Sequence, residues 1–393
     1  MTTGSLRILR SCFSRSWGGL ELTALETTLE LQQRGHRVWL ACPPGSRLEE
    51  EALRESIATF PLTVTGYAHP LLAVRLARFL HHTAIELIHT ELSKDLATLI
   101  AGMRLSGRRI PLLLTKQMGS YVMKRDLLHR LTYAHVSRVL AISTVIRKNV
   151  IDTTPMPPER VLLLHHAVDT ERFSPEHVHG RGVRKELGLP EDALVIGFVG
   201  RFSPGKGHEE LLEAAADLRP RYPAIRLVIV GEASYGEKPY EERIRHIVRA
   251  RGLGDIVTFA GFRHDIPALM ASFDIFAFPS HAEAFGIVLI EAMAMERPVV
   301  STNCDGILDI VVDGVTGIMV HPRNTRELAE GLSRLLASPA LRTQLGKAGR
   351  ERVLEHFDRE ARMDRLEAIY REVLEEHRTD RARQKTPAHT TPP

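Results

Sequence analysis

Short apolar, strand-like runs alternate with helical stretches along nearly the whole chain, in two successive series. The first series predicts strands at Leu6–Phe13, His36–Ala41, Ala58–Val64, Ile85–Thr90, Ile110–Thr115, Arg138–Ile142 and Arg160–His165. The second predicts strands at Leu194–Val199, Arg226–Val230, Ile256–Ala260, Ile275–Phe278, Pro298–Thr302 and Gly317–Val320. Strands that alternate with helices pair in parallel, because each helix is the crossover that returns the chain to the same edge direction. The fold class is therefore α/β, with two Rossmann-like doubly wound parallel-sheet domains. The polar stretch DTERFSPEHVHGRGVRKELGLPED separates the two series. The expected division is a domain over residues 1–168, a linker over 169–192 and a second domain over 193–356. A helix over 357–378, able to cross back to the first domain, and a disordered polar tail over 379–393 complete it.

Composition removes several functional classes. With 393 residues, 44% hydrophobic and 25% charged, the chain has ample material for two cores. A net charge of +4 suits anionic ligands or an anionic membrane surface and is too small to imply nucleic acid. Cys12, Cys42 and Cys304 are widely spaced, odd in number and in no metal-ligand spacing, which predicts a reducing compartment and no disulfide framework. No apolar run is long enough to span a bilayer, and the start lacks a signal-peptide core. A cytoplasmic protein is expected, with peripheral contact at the inner membrane face left open.

Two stretches carry chemistry. FPSHAEAFGIVLIEAMAMER, residues 278–297, reads as a buried strand end, a turn and a buried helix starting near Gly286. Glu283 and Glu291 interrupt its apolar run, and a buried carboxylate needs a partner. The helix N-terminus offers backbone N–H groups and a positive dipole end to an anion. Hydroxyls for the acids and phosphates for the helix describe a nucleotide sugar, although structural ion pairs occupy such positions too. The strand at 194–199 runs into Gly200-Arg201-Phe202-Ser203-Pro204-Gly205-Lys206-Gly207. Such a turn brings backbone, a guanidinium fork and an ammonium onto a pyrophosphate, and its glycine spacing fits neither a dinucleotide fingerprint nor a Walker loop.

Taken together, GRFSPGKG and PSHAEAFGIVLIEA resemble the donor-binding half of retaining glycosyltransferases of family 4, which have the GT-B fold. Glu283 and Glu291 match that family's E-x7-E pair, HAVDTERF resembles its interdomain segment, and VVDGVTGIMV its D-G-x-x-G turn. The resemblance implies that Arg201 and Lys206 bind the donor diphosphate and stabilise the leaving group, and that Glu283 contacts the transferred sugar. It further implies that Glu291 bonds the ribose, that backbone at Gly200, Ala284, Phe285 and Gly286 reaches phosphate or sugar, and that Gly18 and Gly19 admit the phosphates. The turn at Gly261-Phe262-Arg263 is expected near the base. No cofactor is implied; the substrate is a UDP-, GDP- or ADP-linked sugar, and the acceptor a glycan or lipid-linked glycan, as in lipopolysaccharide or other cell-envelope glycan synthesis.

The acceptor half departs from the pattern. Many relatives have a histidine just after the fifth strand, where this chain reads Thr115-Lys116-Gln117. Lys116, or His89 at the end of the fourth strand, is the candidate replacement, against the alternative of a structural strand-end histidine. Basic residues interleave with apolar ones at Arg75, Arg78, Arg104, Arg108, Arg109, Lys124, Arg125, His129 and Arg130, which suits either an anionic membrane or plain solvent. Two rival readings share the architecture: a nucleotide-sugar epimerase and a non-catalytic sugar-nucleotide-binding protein.

Overall fold

The computed structural model describes residues 4–64, 70–234 and 236–385. The chain divides into unit 1, residues 1–165 with 361–393, and unit 2, residues 166–360. Unit 1 carries strands β1 (Arg7–Ser11), β2 (Arg37–Cys42), β3 (Ala58–Pro61), β4 (Leu87–Thr90), β5 (Leu112–Lys116), β6 (Val136–Ala141) and β7 (Val161–Leu163). They form one sheet in the order β3-β2-β1-β4-β5-β6-β7, parallel at every pairing. Unit 2 carries β8 (Leu194–Val199), β9 (Ile225–Val230), β10 (Val257–Gly261), β11 (Ile275–Phe278), β12 (Val299–Thr302) and β13 (Gly317–Val320). Its parallel order is β10-β9-β8-β11-β12-β13. The two doubly wound sheets expected from the alternation are both present.

Strand order reverses between β1 and β4 in unit 1 and between β8 and β11 in unit 2. Ligands of open α/β sheets bind outside the carboxyl ends of the strands at such switch points. The four residues of β11 are all buried, as sandwiching between helix layers requires. Gly197 in β8 allows close packing: a Cβ there would lie 2.1 Å from the Phe273 ring.

Local chemistry explains where the sequence reading falls short. The helix Arg47–Arg54 lies between β2 and β3, and the Ser46 side chain caps it by accepting from the Glu49 N–H. The final helical region breaks at Phe357-Asp358, and a last helix, Arg359–Lys385, follows. Residues 379–385 are therefore helical and not part of a disordered tail, since Arg, Ala, Gln and Lys all favour helix. The rest of that expected tail, 386–393, lies outside the described residues. Met363, Leu366, Ile369, Tyr370, Val373 and Leu374 recur at helical spacing on one face of this helix. That face packs on Ile8, Leu87, Leu113 and Leu140 of the unit 1 sheet. Each such side chain contributes about 1.5–3 kcal/mol by leaving water, so the helix is an integral layer of unit 1.

Candidate functional site

At the switch point of unit 2, the loop after β8 meets the loop after β11. Gly200 donates to Val230 O at 3.0 Å and Phe202 to Glu232 O at 3.1 Å, which fixes the start of the turn beside β9. Gly207 has φ +81°, and a Cβ there would sit 2.2 Å from Pro279 O, so only glycine allows the two loops to touch. His281 N–H closes the contact by donating to Gly205 O at 2.8 Å. The His281 ring is itself held by Glu210 on Nε2 at 2.7 Å and by Arg323 on Nδ1 at 3.2 Å.

The result is a direct ion pair between two of the expected site residues. Lys206 Nζ lies 2.6 Å from Glu283 Oε2, with the two side chains 23% and 17% exposed. The pair is desolvated enough to matter and open enough to exchange a partner. Arg201, on the same turn, is exposed and donates to Ser234 Oγ at 3.2 Å. Beyond Glu283, Gly286 caps the helix Ile287–Ala294 with φ +107°, a conformation that favours glycine. Phe285 is buried, its ring 5.5 Å from His166 and 5.8 Å from Phe357, which anchors the turn before the helix. Glu291 is half-buried and lies on that helix.

One supporting residue was invisible to motif reading. The Asp305 carboxylate accepts from the Glu283 N–H at 3.3 Å, and Gly306 N–H donates to Glu283 O at 2.9 Å. Asp305 adopts φ +44°, unfavourable for a side-chain-bearing residue, so this clamp on Glu283 is held under backbone strain. A Cβ at Gly306 would approach Ala284 O to 2.2 Å, so the two loops lie in close contact. The Asp-Gly dipeptide after β12 was the available signal.

Arg263, in the turn expected near the base, has its side chain engaged by carboxylates. Its side chain is not presented to a ligand: it bonds Glu186 through both Nη atoms and Asp265 through Nε at 2.8 Å and Nη2 at 2.7 Å. Two carboxylates saturate the guanidinium fork, which makes it a clasp between the helix Arg181–Glu186 and the β10 loop. The backbone of that turn and the exposed Phe262 ring are the remaining candidates for contact with a base.

In unit 1, the surroundings of His89 fit the second of its two readings, a structural strand-end histidine. It is 1% exposed, with Nε2 2.7 Å from Thr115 Oγ1 and Nδ1 2.6 Å from Tyr370 Oη and 3.1 Å from Arg10 Nη1. Arginine can only donate, so Nδ1 accepts and Nε2 carries the proton. Burial, reinforced by the Arg10 and Arg362 charges, lowers the imidazole pKa well below its usual value. With both ring nitrogens engaged, His89 ties the last helix to the sheet and does not face a substrate. Arg10 in turn pairs with Glu91, which accepts from Gln117 Nε2 at 2.9 Å.

Lys116 ends β5, and burial, with the Lys124 charge as a second cause, brings its ammonium down to about 8. Gly18 is extended, and a Cβ at Gly19 would meet nothing within 4 Å. Packing does not demand glycine at position 19. The helix Gly19–Gln33 starts there without a side-chain cap, leaving space above its first turn.

These two units define a GT-B fold. The model for Glycosyltransferase Family 4 matches residues 17–172, and that for Glycosyl transferases group 1 matches residues 182–352. The alpha-D-kanosaminyltransferase of Streptomyces kanamyceticus is 33% identical over 238 residues, covering 60% of this chain and 60% of that protein. The D-inositol 3-phosphate glycosyltransferase of Actinosynnema mirum is 35% identical over 220 residues, covering 54% and 52%. The matched stretch thus spans about half to three fifths of these relatives' length. The crystal structure of Anabaena Alr3699/HepE in complex with UDP superposes with a TM-score of 0.83 at 24% identity, covering 93% of this chain and 100% of that one. Together the matches show a GT-B fold with both halves similar to glycosyltransferase domains. Among the described residues, no helix is long and apolar enough to cross a membrane.

Proposed function

We propose that the protein transfers a sugar, with retention of anomeric configuration, from a nucleoside diphosphate to a hydroxyl of a glycan or lipid-linked glycan. The observation that carries this reading is the exchangeable Lys206–Glu283 pair at the unit 2 switch point. An arriving diphosphate competes for Lys206 and releases Glu283 to accept hydrogen bonds from the sugar hydroxyls. Arg201 grips phosphate oxygens with its planar fork. As the bond from the anomeric carbon to the phosphate oxygen breaks, the electron pair leaves with the diphosphate. Fixed cations beside that oxygen then lower the barrier. The acceptor oxygen forms the new bond on the same face, and its proton passes to the departing diphosphate.

UDP is the first nucleotide to test, since HepE binds it. Glu291 is assigned to the ribose, and Gly18, Gly19 and the backbone of Gly200 and Ala284–Gly286 to phosphate or sugar oxygens. Lys116 is assigned to the acceptor side. The names of the relatives suggest acceptors such as an inositol phosphate or an aminoglycoside precursor, alongside a cell-envelope glycan such as lipopolysaccharide. The proposed location is the cytoplasm, with peripheral contact at the inner membrane face.

The deciding experiment is thermal stabilisation by UDP, GDP, ADP and CMP sugars, followed by analysis of products with a hydroxyl acceptor. A donor at about 100 times its dissociation constant adds roughly 2.7 kcal/mol. Stabilisation by one donor that vanishes in Arg201→Ala supports the assignment. Transfer by Arg201→Ala or Glu283→Ala within a few-fold of wild type overturns it.

A further inference from the structure

Residues 117–133 of unit 1 follow β5 as a loop and a seven-residue helix, Leu127–Tyr133. Large apolar side chains stand out from this segment into solvent. Tyr121 is fully exposed, Val122 and Met123 are 66% and 61% exposed, and Leu127, Leu128 and Leu131 are 72%, 69% and 55% exposed. Leaving so many apolar groups of one short segment in water marks an interaction surface and not the normal scatter of single exposed residues.

The same segment walls a cavity of about 460 Å³ lined by Arg125, Arg130 and Arg160, with Tyr133 and Met156 alongside. Two of the guanidiniums are fixed by backbone: Arg125 Nη2 donates to Ile151 O at 2.7 Å, and Arg130 Nε donates to Arg125 O at 3.0 Å. Each guanidinium has five N–H donors, so these bonds orient the fork and leave donors for an anion. The single carboxylate of the segment, Asp126, is engaged by His129 through its N–H at 3.1 Å and its Nδ1 at 2.5 Å. These bonds hold the carboxylate at the start of the helix, and the three arginines outnumber it.

We propose that this face docks on an anionic phospholipid bilayer. The leucines, Met123 and Tyr121 enter the headgroup layer, and the arginine-lined cavity takes a lipid phosphate. The core of a protein–protein interface is depleted of charge, whereas here cations and apolar side chains alternate within a few residues. A bilayer satisfies both at once, with anionic headgroups just above hydrocarbon. The surface deepens the lipid-linked form of the acceptor reading and draws its purpose from it, while the docking is measurable without any transfer.

The test is co-sedimentation of the full chain with vesicles of phosphatidylcholine alone or with phosphatidylglycerol added. Wild type should partition onto the anionic vesicles only, and high salt should release it. The double variant Leu127→Ser with Leu128→Ser and, separately, Arg160→Glu should each weaken partitioning about tenfold, with unchanged unfolding midpoints. Equal partitioning of wild type and variants, or none by wild type, overturns the proposal. So does lipid-free dimerisation that the leucine variant abolishes, which would make a second copy the occupant. Binding of glycerol phosphate without vesicle partitioning overturns it in favour of a soluble phosphate. Transfer to a water-soluble acceptor is followed in parallel. Lost partitioning with intact transfer breaks only the docking, and intact partitioning without transfer breaks only the enzymatic reading.

Discussion

Two acid–base pairs, one in each unit, sit at equivalent switch points and behave in opposite ways. Arg10 and Glu91 are 2% and 3% exposed and enclosed by His89, Tyr370 and Gln117. Lys206 and Glu283 are 23% and 17% exposed and meet through a single contact. The sealed pair has its charges matched by fixed protein groups, and removing either partner strands a desolvated ion. The open pair borders solvent, and in the proposed function a donor diphosphate takes Glu283's place. Ion pairing alone therefore says little about function; the degree of enclosure separates a fastening from a receptor.

The strongest way to break this contrast is Glu91→Ala, expected to cost about 3–5 kcal/mol by leaving Arg10 buried and unpaired. Lys206→Ala should change stability by no more than about 1 kcal/mol, and denaturant titration of both variants makes the comparison. Equal losses would erase the distinction. Next in size, Arg201→Ala should lower the transfer rate about 100-fold, roughly 2.7 kcal/mol, with an unchanged unfolding midpoint.

A pH series probes both units through histidines held neutral by burial. His89 has its pKa lowered by burial first, and His208, buried near Lys206, is brought down to about 3. Both fold with a pKa below the unfolded value. Their stability is thus complete above about pH 6.5 and falls on acidification by about 1.4 kcal/mol per pH unit for each group. Asp95 acts in the opposite sense, because burial raises its carboxyl to about 7. Its contribution is present at low pH and is lost as pH rises through 7, so Asp95→Asn should stabilise the protein at mildly alkaline pH. The smallest expected effect sharpens the open pair. Glu283→Gln should leave Lys206 without its counter-charge and tighten UDP binding a few-fold, up to about 1 kcal/mol, while slowing transfer. Isothermal titration reads the first and product formation the second.

The parts of this molecule legible in the sequence are those governed by local period and turn chemistry. The strands Leu194–Val199, Ile275–Phe278 and Gly317–Val320 are read with their observed bounds, since continuous apolar runs flanked by turns leave little choice. Glu283 and Lys206 were singled out as candidates because each belongs to a short motif. What escaped depends on partners distant in sequence. His89 looks like a strand end open to a ligand until Tyr370, on the last helix, covers it. Arg263 reads as part of a turn near the base, and nothing in that motif shows Glu186 beside it. The Asp305 clamp joins loops after two different strands, and no spacing rule connects them.

The last helix has a bearing on how the protein is made. Its apolar face completes the core of unit 1, yet about 200 residues of unit 2 intervene between it and the sheet it covers. At about 5–20 residues per second, a ribosome needs roughly 10–40 s to reach it after finishing the sheet. During that interval Ile8, Leu87, Leu113 and Leu140 lack their cover, and Arg10 and His89 lack Tyr370. Until then that face of the unit 1 sheet has no apolar cover, the condition under which incomplete chains are prone to aggregate. A premature stop before Leu374 is expected to leave the unit 1 sheet, made early in synthesis, without part of its apolar cover.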